Sequence, residues 1–165
     1  MVKTIPLYLA GGVFNAGERM HILHLEKYLI LLGHKVIVPQ REAIRFQERS
    51  TLKFDISGIA RDCREAAENP DNLYVGSADG ADADSGTCVE YGHAITATGR
   101  AIVYRTDFRT ALETEVGMNA MLRQERTEFI YHPCFISEFE DIDGYYSQLA
   151  CEIHEAVQRI LKKEH

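Results

Sequence analysis

Residues 4–12 read Thr-Ile-Pro-Leu-Tyr-Leu-Ala-Gly-Gly, and residues 33–39 read Gly-His-Lys-Val-Ile-Val-Pro. The apolar segment Thr4–Ala10 is typical of a buried strand, and the two glycines after it allow a tight turn and the close approach of a ligand. Apolar residues recur at helical spacing over Glu18–Leu32, which predicts a helix, and β-branched residues predict a second strand over His34–Val38. Two strands joined by a helix form a βαβ unit, whose strands run parallel.

The same alternation of strands and helices continues along the rest of the chain. Because such alternation gives a mostly parallel sheet covered on both faces, we expect one α/β domain over residues 1–165. Ligands of these sheets bind beyond the carboxyl ends of the strands, so the loops after the first and third strands are the candidate binding loops. The predicted elements are a loop over 40–50, helices over about Leu52–Glu68, Gly86–Thr98 and Tyr145–Lys163, and strands over Leu73–Ser77, Ala101–Tyr104 and Phe129–His132.

The chain of 165 residues carries 18 Lys and Arg against 25 Asp and Glu, a formal net charge of −7. An acidic protein lacks the basic stripe that neutralises a phosphate backbone, so nucleic acid is not an expected partner. The longest apolar run, Tyr28–Leu32, is far shorter than the roughly 20 residues that span a bilayer, and no membrane association is expected. Because the first residues lack a secretory-type apolar segment, we expect a cytoplasmic protein.

The cysteines indicate neither a disulfide framework nor a zinc site. The chain holds four of them and no Cys-x-x-Cys pair, so we interpret all four as buried free thiols. We expect no cofactor. The cysteines are Cys63, Cys88, Cys134 and Cys151.

Residues 76–92, which include the loop after the third strand, hold four carboxylates and no Lys or Arg. Repulsion disfavours such a cluster unless the carboxylates are solvated, bind a cation, or act as acid and nucleophile with separated pKa values. The spacing does not match a calcium-binding loop, and no metal is predicted. Asp84 stands where a helix N-cap is expected, whereas Glu90, nearly two turns further, is either a solvated or a functional carboxylate. The other two carboxylates are Asp79 and Asp82.

Four segments, taken in order, resemble the signature segments of the nucleoside 2-deoxyribosyltransferases. They are Tyr-Leu-Ala-Gly-Gly-Val-Phe-Asn at 8–15, Asp-Ile-Ser-Gly-Ile at 55–59, Asp-Ser-Gly-Thr-Cys-Val-Glu-Tyr-Gly at 84–92 and Asn-Ala-Met at 119–121. The resemblance implies a flavodoxin-like three-layer sandwich with a mostly parallel five-stranded sheet. It also implies a homo-oligomer built from dimers, up to a hexamer, that serves nucleotide salvage by moving 2-deoxyribose between free nucleobases.

The resemblance assigns catalytic roles to three residues. Glu90 attacks the anomeric carbon of a 2'-deoxynucleoside and forms a covalent deoxyribosyl ester, as the carboxylate nucleophile of a retaining glycosidase does. Asp55, expected to be buried, protonates the departing base, although a carboxylate in a helix's first turn can also be purely structural. The Tyr8 hydroxyl holds the nucleophile, the alternative being that this tyrosine only packs in the core.

Further residues are assigned to substrate binding by the same resemblance. Asp84 accepts hydrogen bonds from the sugar hydroxyls, and Asn119 contributes to the sugar pocket of a neighbouring subunit or is an ordinary helix polar residue. Phe14 stacks on the base or packs in the core. Gly11 and Gly12 leave room for the ligand beside the backbone.

Other functions remain open at this point. A related hydrolase cleaves 2'-deoxynucleotides or 2'-deoxynucleosides with the same glutamate, and a non-catalytic nucleoside-binding module could share the fold. The hydrolases that act on nucleotides place a serine where this chain has Asp84, so unphosphorylated nucleosides are the expected substrates. The Asp-x-Gly-Thr frame at 84–87 looks more like that of the purine-restricted family members, so a preference for purines is expected.

Overall fold

The computed structural model describes residues 5–43, 47–48, 53–110 and 118–163. The strands are β1 Leu7–Ala10, β2 Val36–Ile37, β3 Gln47–Glu48, β4 Lys53–Phe54, β5 Leu73–Ser77, β6 Ala101–Arg105 and β7 Thr127–Tyr131. The α-helices are α1 Ala16–Leu31, α2 Pro39–Ala43, α3 Ile56–Glu68, α4 Ser85–Thr98 and α5 Ile142–Lys163. Short 3₁₀ helices lie at Phe108–Thr110, Ala120–Leu122 and Ile136–Asp141.

Five strands form one parallel sheet in the order β2-β1-β5-β6-β7. Counted within this sheet alone, the order is 2-1-3-4-5, which is the flavodoxin-like arrangement. The predicted α/β fold is therefore confirmed, and the sheet is wholly rather than mostly parallel. The order reverses at β1, so the carboxyl ends of β1 and β5 define the crevice in which this architecture binds ligands.

Alternating side chains of β1 point to opposite faces of the sheet. Leu7 and Leu9 pack in the core under α1 and α5, together with Leu149 and Ile153. Tyr8 points the other way, into the cluster under α3 and α4. Each fully buried leucine contributes roughly 1.5–3 kcal/mol, so the hydrophobic pattern of β1 fixes the face on which Tyr8 lies.

The segment between β2 and α3 departs from the predicted loop and helix. Pro39 begins the short helix α2 because its fixed φ suits a first helical position. β3 and β4 pair antiparallel, and α3 begins only at Ile56, after the N-cap Asp55. The prediction of a loop over 40–50 is thus wrong for the described residues. The helix predicted over about Leu52–Glu68 is confirmed from Ile56 onward, and Leu52 itself lies outside the described residues.

All four cysteines lie in the described residues and none forms a disulfide, but they are not uniformly buried as expected. Cys151 is exposed on α5, and the other three cysteines are half-buried. Within the described residues, no helix is long and apolar enough to cross a membrane.

The loop after β5 is tied to the end of β6. Arg105 is only 2% exposed, and its guanidinium donates to the carbonyl oxygens of Ala78 and, at 3.0 Å, Gly80. The Asp79 carboxylate in the same loop accepts from the Thr106 hydroxyl at 2.7 Å and the Asp107 amide at 2.9 Å. These bonds satisfy polar groups of the loop after β5 and of the end of β6, and they fix the loop that leads to α4.

We expect Arg105→Leu to lower the free energy of unfolding by about 3 kcal/mol, because it leaves two loop carbonyls without their donor. Urea denaturation of the native protein and the variant measures this loss. The control is Arg109→Leu, which removes an exposed guanidinium paired with Asp107 and should cost far less. Equal losses in the two variants would show that Arg105 does not stabilise the loop.

Candidate active site

The predicted site residues come from three elements on one face of the sheet. Tyr8 lies in β1, Asp55 caps α3, and Asp84 caps α4, in which Glu90 occupies the second turn. The helices α3 and α4 pack against each other. Because α4 directly follows β5 and α3 leads back to the start of β5, the amino ends of both helices lie at the edge of the sheet where ligands bind.

Glu90 is half-buried, and its environment changes its ionisation. Burial raises the pKa of this carboxyl group to about 7, while the nearby Cys63 thiol and Tyr8 hydroxyl oppose the rise and the charge of Asp84 adds to it. Burial dominates because a carboxylate loses hydration that two weak donors do not replace. Near neutral pH the group therefore exchanges readily between its protonated and its nucleophilic, ionised form.

Tyr8 is almost fully enclosed. Its side chain is 1% exposed, and its hydroxyl oxygen completes no hydrogen bond of ordinary length and angle within the described residues. Burial, followed by the charge of Glu90, raises the pKa of this phenol. Tyr8 therefore remains protonated at neutral pH and can donate toward Glu90.

Asp84 is the N-cap of α4, as the sequence predicted. Its Oδ2 atom accepts from the Thr87 amide at 2.8 Å and from the Thr87 hydroxyl at 3.1 Å. Among the described residues, no group donates to Oδ1. The cap accordingly uses one oxygen and leaves the other for a ligand.

Asp55 is not buried, so this part of the sequence prediction is wrong. It is exposed and serves as the N-cap of α3, where its Oδ1 atom accepts from the Gly58 amide at 2.9 Å. An N-cap side chain folds back over the free amides of the first turn, at the end of the helix rather than beneath it. The structure thus brings Asp55 to the helix end beside that of α4, but not into the protein interior.

Phe14 and Asn119 both lie on the surface. Phe14 is 78% exposed, so the alternative that it packs in the core is wrong. Asn119 is exposed and caps a 3₁₀ helix, since its Oδ1 atom accepts from the Met121 amide at 2.9 Å. Within the described part of this chain, no hydrogen bond joins either residue to Glu90, and their predicted roles would require a ligand or a second subunit.

The backbone at the two glycines after β1 lies close to side chains of α1. A Cβ atom at Gly11 would lie 2.9 Å from Cδ1 of Ile22, and one at Gly12 would lie 2.7 Å from the carboxyl carbon of Glu18. That carboxylate accepts from the Phe14 amide at 2.7 Å and completes a capping box with Asn15 at the start of α1. The turn beside the crevice is therefore narrow and internally bonded.

Sequence reasoning missed one neighbour of the candidate nucleophile. Cys63, in the middle of α3, lies near Glu90 and Tyr8, and its thiol lowers the pKa of Glu90. The sequence carried no signal for it, because a lone half-buried cysteine is more often a packing residue. Asp79, in contrast, belongs to the acidic loop, but its carboxylate accepts hydrogen bonds from Thr106, the residue just after β6.

Fold and site together define a flavodoxin-like α/β protein with a half-buried carboxylate at the carboxyl edge of its sheet. The family model described as nucleoside 2-deoxyribosyltransferase matches residues 7–140. This chain belongs to the nucleoside 2-deoxyribosyltransferase family. The match covers most of the chain, including every residue of the candidate site.

A solved structure agrees with the fold. A crystal structure of a conserved protein from Enterococcus faecalis V583 is 17% identical and superposes with a TM-score of 0.60, covering 88% of this chain and 99% of that one. An X-ray structure of an oxidoreductase from Corynebacterium diphtheriae is 9% identical, covers 89% of this chain and 93% of that one, and reaches a TM-score of only 0.47. A search of curated proteins found no match.

The raised pKa of Glu90 predicts how the stability of the folded protein depends on pH. Because the folded-state pKa is about 7 and the ordinary value is 4.5, the native protein loses stability as pH rises between these values, where only the unfolded chain ionises this group. We expect the melting temperature of Glu90→Gln, relative to the native protein, to increase from pH 4.5 to 7 and then to level off. Thermal unfolding of both proteins across about pH 4.5–8 measures this difference in melting temperature.

The exposed Glu65 of α3 supplies the matched control, since Glu65→Gln removes the same charge outside the site. A relative melting temperature that follows the same curve in both variants would contradict a special environment at Glu90.

Proposed function

We propose that this protein transfers 2-deoxyribose between nucleobases through a covalent ester on Glu90, with a preference for purines. The observation that carries the proposal is a half-buried carboxylate with a pKa of about 7, set beside a protonated tyrosine, in a member of this family. A nucleophile must be ionised yet poorly solvated, and this environment provides both conditions near neutral pH.

In the first step, a carboxylate oxygen of Glu90 bonds to C1' of the deoxynucleoside. The C1'–N bond breaks, its electron pair leaves with the base, and the base takes a proton from an acid. We assign that acid to Asp55, whose Oδ1 atom is engaged with Gly58 while Oδ2 has no donor among the described residues. Its exposure leaves it open to a bound base.

In the second step, a nitrogen of the incoming base attacks C1' and breaks the ester. Glu90 recovers its electron pair as a carboxylate, and the incoming base loses its N–H proton to the acid that the first step deprotonated. Two inversions at C1' give net retention and ping-pong kinetics. Water can replace the incoming base, so slow hydrolysis is expected when no acceptor is present.

Asp84 favours an unphosphorylated sugar in this scheme. Its free Oδ1 atom can accept from a deoxyribose hydroxyl, whereas a phosphate oxygen would be repelled. Two unit charges 4 Å apart interact with about 4 kcal/mol at an effective dielectric constant of 20. 2'-Deoxynucleosides are therefore better substrates than their 5'-monophosphates.

Exposed apolar side chains near the crevice favour completion of the site by a second subunit. Isolated surface leucines are ordinary, but several large apolar groups on the site-bearing elements indicate an interaction surface. A neighbouring copy that covered them would also bring its Asn119 and Phe14 within reach of a sugar or base. The exposed groups are Phe14 78%, Ile56 76%, Met121 68% and Val89 61%.

Glu90→Ala is expected to abolish base exchange while the protein stays folded, because the ester cannot form. Chromatography of deoxyinosine with adenine measures exchange, and mass spectrometry of native enzyme soaked with deoxynucleoside detects the deoxyribosyl group on the Glu90 peptide. In the native enzyme kcat/KM should fall as pH drops through about 7. Glu65→Ala is the control, and full exchange by Glu90→Ala would refute the mechanism.

A mixing experiment tests the shared site. If Asn119 serves the neighbouring subunit, Glu90→Ala and Asn119→Ala are each nearly inactive, but a refolded equimolar mixture recovers about a quarter of the native activity, because half of the dimers are mixed and each holds one intact site. No recovery, or full activity of a monomer in sedimentation, would contradict the arrangement. Exchange assays with the four deoxynucleosides in the same preparation measure the purine preference.

A further inference from the structure

A buried tyrosine of the central strand bonds to the first turn of α4. The Tyr74 hydroxyl donates to the carbonyl oxygen of Thr87 at 2.9 Å, and these residues are only 2% and 6% exposed. Burial raises the pKa of this phenol well above its ordinary value, so the hydroxyl stays protonated and can donate. The bond joins β5, the middle strand of the sheet, to the helix that carries Asp84 at its cap and Glu90 in its second turn.

The backbone of β5 leaves room for this tyrosine to reach the helix. The Tyr74 ring lies over Gly76 of its own strand, where a Cβ atom would overlap the phenol oxygen and lie 2.6 Å from Cζ. The ring centroids of Tyr8 and Tyr91 lie 6.2 and 6.1 Å from that of Tyr74. Because the glycine removes an obstacle and the two rings pack against the phenol, the Tyr74 hydroxyl is confined to its place beneath α4.

The Thr87 carbonyl does not need this bond for the helix to form. A carbonyl in the first turn of a helix accepts from the amide four residues later, and its second lone pair is open to a further donor. The Tyr74 hydroxyl takes that second place. The bond therefore fixes where α4 lies on the sheet rather than whether α4 forms.

The other polar groups of Thr87 lead directly to Asp84. The Thr87 amide and hydroxyl donate to Oδ2 of Asp84 at 2.8 and 3.1 Å, while Oδ1 has no donor among the described residues. Tyr74, Thr87 and Asp84 thus form a continuous chain of hydrogen bonds from the middle of the sheet to the crevice. The direction in which Oδ1 points depends on each link of this chain.

We propose that Tyr74 is a positioning residue for Asp84: its hydroxyl, acting through Thr87, sets the place of the first turn of α4 and so aims the free Asp84 oxygen at the deoxyribose. The inference rests on the proposed transfer reaction, in which Asp84 accepts from a sugar hydroxyl. Tyr74 itself touches neither the substrate nor a reacting atom. Sugar recognition at the crevice thereby depends on a hydroxyl buried in the core.

Tyr74→Phe tests the proposal because it removes the hydroxyl and keeps the ring. We expect KM for deoxyinosine to rise roughly fivefold while kcat changes little, because a displaced Asp84 weakens sugar binding in the ground state and the transition state alike. The ratio of kcat/KM for the deoxynucleoside to kcat/KM for its 5'-monophosphate should fall several-fold, since the repelling carboxylate has moved. That ratio does not depend on how much of the protein is folded.

Tyr91→Phe is the matched control. Tyr91 packs in the same cluster and is 3% exposed, but its hydroxyl lies 2.7 Å from that of Thr127, at the start of β7, and not on the first turn of α4. Because both variants lose one buried hydroxyl, we expect similar losses of melting temperature, with native KM and native discrimination in Tyr91→Phe alone. An equal rise in KM in both variants, or native KM in Tyr74→Phe, would overturn the proposal while leaving the transferase function intact.

Amide hydrogen–deuterium exchange supplies a readout that needs no catalysis. In Tyr74→Phe, the peptide that contains the Thr87 amide should take up deuterium several-fold faster than in the native protein or in Tyr91→Phe, because the first turn of α4 is held less firmly to the sheet. If the native protein transfers no deoxyribose, the proposed function fails, and this measurement still decides the contact. Equal deuterium uptake by that peptide in Tyr74→Phe and the native protein would overturn the positioning role.

Discussion

The Glu90 carboxylate is held partly out of water and has no positive partner among the described residues, and the rest of the candidate site is arranged around that constraint. The strand β1 places a phenol beside it, α3 places a thiol beside it, and α4 carries it two turns from its own N-cap. Desolvation outweighs these donors, so the pKa of Glu90 rises to about 7. An isolated helix with the same sequence would show none of this, because the effect comes from packing three elements together.

The architecture was predictable because the hydrophobic pattern is strong in the elements that make the core. The apolar strands β1, β5 and β6 are buried, and the helix and strand periods differ enough to be told apart. The region between β2 and α3 was not predictable, because a five-residue helix and two-residue strands leave no period to detect. Short elements are fixed by their surroundings rather than by their own sequence.

The candidate site was predictable only where residue type and local position were sufficient. Asp84 was identified as a helix cap because capping depends on the next three residues. The burial expected of Asp55 was wrong for the same local reason, since its bond to Gly58 holds it at the helix end. Cys63 could not have been identified from the sequence, because its nearness to Glu90 depends on how α3 and α4 pack against each other on one face of the sheet.

The strand β2 consists of only two residues at one edge of the sheet, and Pro39 follows it after a single residue. An edge this short presents too few free amide and carbonyl groups to template the strand of another molecule, and the proline stops its extension. This side of the domain is thus protected from growing into fibres by strand addition. Contacts between copies on this side of the domain therefore involve helix and loop surfaces rather than added strands.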